Sequence, residues 1–457
     1  MSDRKKILLL ADDMRMQSGI ARMSREMVLG TCHKYDWVQI GGAIKHPEAG
    51  KRIDIESDEN FSIPKEAKIV IYPTDGYGNP NLLREVLVLE KPDAILHFTD
   101  PRFWIWLYNM EHEIRTKIPL MYLNIWDDLP DPLYNTNFYR SCDSLMSISK
   151  QTYGINKRIL SHHDYEDWQT TYVPHGISEE RLFKIKDSNL DYKKFCSSLK
   201  LDEYKFKILY LNRNIRRKQP GDVILAYKHF MDKLTPEQRK ECCLVFHCNV
   251  SDENGTDLRA ISNTLIPEYP VIFTHDVKGP LDDISINYLY NSVDVYMNLA
   301  SNEGFGLGSA EALMTETPII VNVTGGLQDQ CGFKKEDGTY LTADDYVELG
   351  SNHRGKYKQH GDWVKPVFPS NISLQGSPLT PYIFDDRADY RDAGEALLEW
   401  YKAGPEERER CGESGREFLL DPEISMSSTN MSKKYLEHFE KTFNNFKPRE
   451  KYTLEAV

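Results

Sequence analysis

Two glutamates flank a short glycine-rich segment around residue 305. Glu303 and Glu311 enclose glycines at positions 304, 306 and 308, and apolar runs at residues 293–299 and 317–323 lie on either side. The apolar runs predict buried strands, and the residues after the glycines predict a helix. A glycine loop between a strand and a helix exposes free backbone N–H groups at the helix N-terminus, where the helix dipole favours an anion such as phosphate.

The two carboxylates indicate what else could bind beside a phosphate. Carboxylates accept hydrogen bonds from hydroxyl groups, which a sugar and a ribose both offer. The segment therefore predicts a nucleotide-sugar site, with donor contacts from the loop and the second glutamate, namely Gly304, Phe305, Gly306, Leu307 and Glu311. A glycine-rich turn that binds no ligand is the alternative, because short glycine motifs also match by chance.

The spacing of Glu303 and Glu311 resembles the E-x7-E signature of retaining glycosyltransferases with the GT-B fold, the family usually called family 4. The resemblance implies an α/β protein with two Rossmann-like, doubly wound domains facing a cleft and a C-terminal helix that returns to the N-terminal domain. It implies transfer of a hexosyl or pentosyl group from a nucleotide sugar with retention of anomeric configuration. It also assigns Glu303 to the catalytic residues and Glu311 to the ribose.

A basic cluster follows the apolar run at residues 206–211. Arg213 and Lys218 stand at the spacing at which family 4 enzymes place an Arg and a Lys on the donor diphosphate, so the resemblance implies catalytic roles for both. Fixed cations at this point stabilise the negative charge that a departing nucleotide diphosphate gains. A solvated basic turn is the alternative.

Two positions in the first half match the family in part. Gly19 opens a predicted helix after the first strand and is expected to approach the donor, although this chain has Ser18 where the family often has another glycine. His97 ends a predicted strand, and a histidine at this point in the family lies near the donor sugar. The resemblance therefore implies a catalytic role for His97. The alternatives are a plain strand-to-helix turn at Gly19 and a structural hydrogen-bond partner at His97.

Residues just after His97 are candidates for the acceptor side. Asp100 could orient the acceptor as a base, or could cap the following helix. Trp104 lies in an aromatic run at residues 103–108 that reads as a core helix, or as a stacking surface for a sugar or a base.

The residues that carry this chemistry lie at the ends of predicted strands. Apolar runs predict strands at residues 6–11, 37–40, 68–72, 94–98, 120–125, 144–149, 206–211, 244–247 and 271–274. Helical patterns occur at residues 21–29, 81–89, 221–234, 285–291, 391–403 and 427–443. This alternation predicts parallel, doubly wound sheets, in which ligands bind outside the carboxyl ends of the strands.

The same pattern predicts the domain boundaries. We expect an N-terminal acceptor domain at residues 1–180, a polar connection at about 178–204 and a nucleotide-sugar donor domain at 205–426. Residues 427–457 are expected to form a C-terminal helix and tail. Between residues 331 and 387 the sequence becomes rich in Gly, Pro and Asp, which predicts an insertion that is functional or accessory.

Composition limits the classes of protein and partner. The chain has 457 residues and a formal net charge of −13, and it contains no run of about 18 apolar residues. We therefore expect a globular protein without a membrane anchor, located in the cytoplasm. A polyanionic partner would need a local basic patch, because the overall charge repels it.

Metal binding is not expected. The carboxylates at residues 127–131 lie in a Pro-rich loop, and the family generally does not need a metal to bind the donor. Cys242, Cys243, Cys248 and His247 surround a strand pattern without a CxxC pair, so buried free thiols are the favoured reading over a metal site. We expect no cofactor apart from the donor substrate, and the commonest donor in the family is a UDP-sugar.

The acceptor is the least determined part of the prediction. The sequence as a whole, with its start at residues 12–16 and its segment at 376–383, looks like glycosyltransferases carried by tailed phages. That resemblance makes a 5-hydroxymethylpyrimidine in phage DNA the leading acceptor and the host cytoplasm the expected location. The alternatives are a glycan, protein or small-molecule acceptor, and a GT-B epimerase, phosphorylase or sugar-nucleotide binding protein.

Overall fold

A computed structural model describes residues 4–43, 45, 47–57, 63–186, 188–349 and 355–452. Two large sheets and one separate hairpin account for the strands of these residues. We call the part of the chain that carries the first sheet the first half, and the part that carries the second sheet the second half.

The first sheet has eight strands in the order β3-β4-β2-β1-β5-β6-β7-β8. All neighbours are parallel except β3, which runs antiparallel to β4 at the edge. The strands are β1 (Lys6–Asp12), β2 (Asp36–Gly42), β3 (Ile53–Asp54), β4 (Ile69–Pro73), β5 (Ala94–Phe98), β6 (Leu120–Asn124), β7 (Ser144–Ser147) and β8 (Thr170–Tyr172). The helices of this part are α1 (Gly19–Thr31), α2 (Pro80–Glu90), α3 (Ile105–Asn109), α4 (Glu111–Arg115), α5 (Thr136–Arg140), α6 (Lys150–Leu160) and α7 (Leu190–Ser198).

The second sheet has six parallel strands in the order β11-β10-β9-β12-β13-β14. They are β9 (Phe206–Leu211), β10 (Cys242–His247), β11 (Val271–Phe273), β12 (Val295–Asn298), β13 (Ile319–Asn322) and β14 (Val364–Val367). The hairpin consists of β15 (Pro369–Ser377) and β16 (Thr380–Ala388). The helices are α8 (Pro220–Asp232), α9 (Pro236–Arg239), α10 (Leu258–Leu265), α11 (Thr274–Lys278), α12 (Asp283–Asn291), α13 (Leu307–Met314), α14 (Leu327–Gln330), α15 (Asp345–Leu349), α16 (Tyr390–Leu420) and α17 (Ser428–Asn445).

The predicted α/β class is confirmed, because the central strands are buried on both faces. Residues Ile7 to Ala11 of β1 are all fully buried, as expected for a parallel sheet covered by helices on both sides. In each sheet the strand order reverses next to a central strand, β1 in the first half and β9 in the second. Such a reversal opens a crevice at the carboxyl ends of the strands, where ligands of doubly wound folds bind.

The segment at residues 331–387 differs from the predicted insertion. It contributes β14 to the edge of the second sheet and forms the β15–β16 hairpin. β14 was missed because it is only four residues long and contains Pro366, which an edge strand tolerates but which breaks a strand pattern in the sequence. The connection around residues 178–204 also contains a helix that we did not predict, α7.

The C-terminal helix α17 returns to the first half, as predicted. The Phe439 ring packs 5.8 Å from that of Tyr35 and 6.0 Å from that of Trp37, measured between ring centroids. The backbone N–H of Gly176 approaches the Met431 sulfur at 2.9 Å. The chain thus crosses back over the connection between the halves before it ends.

A second contact between the halves allows a test of this packing. A Cβ atom at Gly154 of α6 would lie 2.5 Å from the carbonyl oxygen of Tyr346 in α15, whereas a Cβ at Gly221 of α8 would meet no atom within 4 Å. We expect Gly154→Ala to lower the free energy of unfolding by about 1–3 kcal/mol through overpacking. Gly221→Ala should lose nothing and could gain up to about 1 kcal/mol through its helix propensity.

Chemical unfolding curves of the two variants, recorded beside the unmodified protein, measure both effects. Equal midpoints for the two variants would contradict the close packing of α6 on α15.

Candidate active site

A cavity of about 1070 Å³ opens where the two halves face each other. Its wall includes the loops that follow the central strands of both sheets, together with the tip of the β15–β16 hairpin. Most of the residues predicted from the sequence line it, namely Gly19, Asp100, Arg213, Lys218, Glu303, Gly304, Phe305, Gly306, Leu307 and Glu311. The structure therefore brings together residues that lie up to almost 300 positions apart in the chain.

The glycine loop leads from β12 into α13, as its sequence indicates. Gly306 has φ +89°, and a Cβ there would collide with Leu327, so this turn requires glycine. The first N–H groups of α13 have no intrahelical acceptors, and Leu307 and Gly308 lie on the cavity wall. Gly304 lies on the cavity wall, and a Cβ there would lie 2.9 Å from the carbonyl oxygen of Ile125 in the first half, so the position has no room for a side chain.

Glu303 is the centre of a buried cluster of charges. The Lys218 ammonium donates to Glu303 Oε1, and Asn298 Nδ2 donates to the same oxygen at 3.2 Å. Arg217 Nη1 lies 3.6 Å from Glu303 Oε2 and donates at 2.7 Å to the Asn302 carbonyl oxygen. The loop after β9 therefore supplies both cations that face the carboxylate after β12, at the point where the strand order reverses.

The charges of this cluster depend on one another. Burial acts to raise the pKa of Glu303, but the charges of Lys218 and Arg217 outweigh it, so this pKa lies below its usual value. Burial also lowers the pKa of Lys218, to about 8, although the neighbouring carboxylate of Glu303 opposes the change. The cluster consequently holds an ionised carboxylate beside an ammonium group that can lose its proton near pH 8.

Arg213 occupies a different environment from Lys218. Its side chain is 63% exposed, and its Nε donates at 3.1 Å to Asp252 Oδ2. Arg213 lies on the cavity wall, as expected, but it does not contact Glu303. Arg217, which we did not predict, takes the position beside the carboxylate, with 38% of its side chain exposed.

Glu311 joins the two halves. Its Oε1 accepts from Arg22 at 2.9 Å and from Arg181 at 3.0 Å, and its Oε2 accepts from the Tyr290 hydroxyl at 2.9 Å. Burial acts to raise the pKa of Glu311, but the two guanidinium groups lower it below its usual value. Each carboxylate oxygen can accept two hydrogen bonds, so Oε2 keeps one acceptor position for a ligand hydroxyl.

His97 does not lie with the other predicted residues. Its ring is fully buried, its Nδ1 lies 2.7 Å from the Tyr108 hydroxyl, and it does not line the cavity. Burial lowers its pKa to about 3, so the imidazole is neutral. His97 therefore has the structural role that was the alternative interpretation, and not the expected contact with a donor sugar. Its side chain points to the face of the sheet that α3 covers.

Trp104 lies in the same buried group. It is fully buried, with its ring centroid 5.3 Å from that of His97. The structure thus places Trp104 in the core, which was one of the two interpretations of the aromatic run. A tryptophan without exposed surface offers no face for an acceptor to stack on.

Asp100 and Gly19 lie on the first-half wall of the cavity. Asp100 caps the 3₁₀ turn at Pro101–Trp104, accepting at 3.0 Å from the Arg102 backbone, and its Oδ1 also accepts from Arg102 Nε at 2.8 Å. Gly19 begins α1, and a Cβ there would lie 3.2 Å from Leu307 of the glycine loop. Asp100 thus fulfils the capping alternative while remaining at the cavity.

Several residues in or beside the cavity were not predicted from the sequence, and all were missed for the same reason. Arg217 adjoins Lys218, and Asp127 and Asp128 follow β6, but none of Arg217, Asp127 and Asp128 matches a family position. Arg22 of α1 lines the cavity, whereas Arg181 contacts Glu311 without lining it, and neither arginine belongs to a motif. The sequence contains two signals for these residues. Asp127 and Asp128 closely follow a predicted strand, and Arg217 lies in a run of basic residues.

Two further observations concern metal binding and membrane-spanning helices. In the described ranges, His, Cys, Asp and Glu side chains form no group of three or more that could hold a metal ion, and Cys242, Cys243 and Cys248 are buried free thiols. No helix among the described residues is both long and apolar enough to cross a membrane.

Solved structures resemble this chain over nearly its whole length. The Anabaena protein HepE, solved with UDP and glucose, superposes with a TM-score of 0.63, 11% identity and coverage of 95% of this chain and 99% of HepE. Sucrose-phosphate synthase from Thermosynechococcus elongatus gives a TM-score of 0.64, 13% identity and coverage of 96% and 100%. The chain has the GT-B fold.

A third GT-B structure, a trehalose-6-phosphate protein from E. coli bound with UDP-2-fluoro glucose, gives a TM-score of 0.64 at 11% identity, covering 97% of this chain and 100% of that one. Among curated proteins, α-monoglucosyldiacylglycerol synthase from Acholeplasma laidlawii is 24% identical over 187 residues. That match covers 41% of this chain and 43% of the relative, so it spans less than half of either protein. No protein-family model matches the chain.

The environment of Lys218 predicts a pH dependence. With a pKa of about 8, Lys218 is charged below pH 8 and neutral above it, while the phosphates of UDP are fully ionised above about pH 7. We expect the affinity for UDP to fall as the pH rises through 8, by up to about tenfold per pH unit.

Isothermal titration of UDP between pH 7 and 9.5 measures this dependence. Lys218→Arg, which stays charged across this range, should flatten the profile. A flat profile for the unmodified protein would show that Lys218 makes no contribution to phosphate binding.

The geometry of Glu311 predicts a loss of nucleotide affinity on substitution. We expect Glu311→Ala to weaken UDP binding about 10- to 100-fold, because a charged hydrogen bond contributes about 1.5–3 kcal/mol. Glu311→Gln keeps one acceptor oxygen and should lose less. Thermal unfolding of both variants controls for the loss of the pairs with Arg22 and Arg181, and unchanged UDP affinity would refute a ribose role.

Proposed function

We propose that this protein is a retaining glycosyltransferase that moves a sugar from a UDP-sugar to an acceptor hydroxyl. The observation that carries the proposal is the cluster of Lys218, Arg217 and Glu303 beside the N-terminus of α13, inside a cavity shared by the two halves. Two cations and a set of free N–H groups suit a diphosphate. The GT-B structures solved with UDP, glucose and UDP-2-fluoro glucose support UDP-glucose or a related UDP-hexose as the donor.

The cluster favours charge stabilisation over covalent catalysis. Glu303 is bound to Lys218 and faces Arg217, so it is not a free nucleophile. Lys218 can instead stabilise the charge that develops on the departing diphosphate. In the proposed reaction the bond from the anomeric carbon to the phosphate oxygen breaks, a bond to the acceptor oxygen forms on the same face, and the acceptor proton leaves with the phosphate.

The leading acceptor in this proposal is a 5-hydroxymethylpyrimidine in phage DNA. It follows from the resemblance of the whole sequence to phage-encoded glycosyltransferases. A duplex would have to present the base outside its stack, because an enzyme cannot reach its target atom inside the helix.

A second candidate acceptor is an uncharged sugar or other small hydroxylated molecule, and one observation favours it. Each described Lys or Arg on the cavity wall pairs with a carboxylate, and Lys218 and Arg217 are already assigned to the donor, so no unpaired cation is left among them for a polyanionic acceptor. The pairs are Arg22–Glu311, Arg102–Asp100, Arg213–Asp252, Arg216–Asp385, Arg217–Glu303 and Lys218–Glu303.

One set of reactions tests the function and separates the acceptors. The protein is incubated with a panel of UDP-sugars, alone and with DNA that contains cytosine or 5-hydroxymethylcytosine, and with small sugars. UDP release and nucleoside mass spectrometry report donor use and transfer. A sugar mass on 5-hydroxymethylcytosine alone supports the DNA acceptor, and a product from a small sugar supports the second candidate.

Lys218→Ala tests the role of the cluster in the same reactions. We expect it to lower the rate of UDP release roughly 10²-fold or more, because one fixed electrostatic contact to the developing charge has about this effect. Lys205→Ala, whose side chain is 77% exposed, is the matched control and should keep the full rate. Equal rates for the two variants would remove the diphosphate assignment, and no UDP release from any donor would overturn the transferase proposal.

A further inference from the structure

Two adjacent carboxyl groups lie on the first-half wall of the cavity and have no part in the donor site. Asp127 and Asp128 follow β6, and both line the cavity. The Gln151 side-chain amide donates at 3.1 Å to the Asp127 carbonyl oxygen, and the Trp126 indole donates at 2.8 Å to that of Asp128. These bonds fix the backbone of both residues at the edge of the cavity.

Asp127 is connected to the donor cluster through one guanidinium group. Arg217 Nη1 lies 3.6 Å from Asp127 Oδ2 and also 3.6 Å from Glu303 Oε2. Arg217 therefore sits between one carboxylate of each half. This contact places Asp127 beside the charge cluster at which we propose that the donor diphosphate departs.

Asp128 has an unusual environment for a carboxyl group. It is more than nine-tenths buried, and its Oδ1 has no hydrogen-bond partner among the described residues. Burial, followed by the charge of Asp127 and a hydrogen bond with it, raises the pKa of Asp128 well above its usual value. The pair therefore presents carboxyl oxygens to the cavity, and one of them is buried without a hydrogen-bond partner among the described residues.

This combination matches a hydroxyl group and disfavours a phosphate. A hydroxyl can donate a hydrogen bond to a carboxyl oxygen that has no other partner. A phosphate would meet the negative charge of Asp127. Arg102, on the same wall, is already held by Asp100 and lies 5.4 Å above the Trp126 ring, so it does not offer a free cation.

We propose that Asp127 and Asp128 form the acceptor subsite and take a hydroxyl carried by an uncharged group, which corresponds to the second candidate acceptor and not to DNA. Asp127 Oδ2 accepts the hydrogen bond of the reacting hydroxyl and orients its oxygen towards the anomeric carbon. This hydrogen bond holds the hydroxyl in the bound state. As the bond from its oxygen to the anomeric carbon forms, the hydroxyl proton moves to the departing phosphate oxygen, so Asp127 is not consumed. This inference rests on the proposed transferase function and names the acceptor end of that site.

Hydrolysis of the donor tests the subsite without knowledge of the natural acceptor, because water takes the place of the acceptor hydroxyl. The donor is the UDP-sugar that gives the fastest UDP release in the panel. We expect Asp127→Asn to lower the rate of UDP release at saturating donor at least tenfold while the affinity for UDP changes less than twofold. Asp131→Asn is the matched control, since Asp131 lies in the same loop but pairs with Arg158 away from the cavity wall.

A rate for Asp127→Asn equal to that of Asp131→Asn would overturn the subsite. Weaker UDP binding together with slower release would place Asp127 in the donor site instead and would also overturn it. If the unmodified protein releases no UDP from any donor, the transferase proposal itself fails. This failure differs from failure of the subsite, which appears only when an active unmodified protein is compared with the variants.

A charged probe and an uncharged probe of similar size test the chemical class of the acceptor. D-glucose and glucose 6-phosphate are each added to the unmodified protein with the same donor. We expect glucose 6-phosphate to give no acceleration of UDP release over water. Acceleration by glucose 6-phosphate would overturn the assignment of an uncharged acceptor.

Discussion

The buried carboxylate of Glu303 is the constraint on which the rest of the site depends. An ionised carboxylate away from water is strongly unfavourable unless cations and hydrogen bonds compensate it. Here Lys218, Arg217 and Asn298 provide that compensation. A backbone hydrogen bond also connects the two loops that carry these residues, because the Ser301 N–H donates at 2.8 Å to the Arg217 carbonyl oxygen.

The two halves also meet directly along several edges of the cavity. The glycine loop beyond Glu303 touches the first half so closely that Gly304 has no room for a side chain beside Ile125. The hairpin holds the opposite rim, since the Phe384 N–H donates at 2.6 Å to the Leu129 carbonyl oxygen. Arg158 donates from α6 to the Tyr346 carbonyl oxygen at 3.0 Å on a third side. The cavity is thus enclosed by contacts on several edges, which suits a preformed ligand site.

The cavity has two chemically distinct ends. Around Lys218 and the N-terminus of α13, cations and free N–H groups favour a diphosphate. Around Asp127 and Asp128, carboxyl groups favour a hydroxyl. Arg217 lies between the two ends and contacts a carboxylate of each half. A transferase needs this polarity, because its donor carries the negative charge and its acceptor brings a neutral nucleophile.

The sequence by itself determined the alternation of the central strands with helices and the loop from Glu303 to Glu311, because these features depend on periodicity and on neighbours within a few residues. It did not predict α7 or β14. Only the tertiary structure decided which side chains reach the cavity. His97 and Asp100 are three positions apart, yet His97 is buried against Tyr108 and Asp100 lines the cavity, because His97 lies within β5 and Asp100 lies in the loop beyond its carboxyl end. Arg217 and not Arg213 lies beside Glu303 because the loops after β9 and β12 meet at adjacent strands, and Asp127 joins them from the loop after β6 of the other sheet.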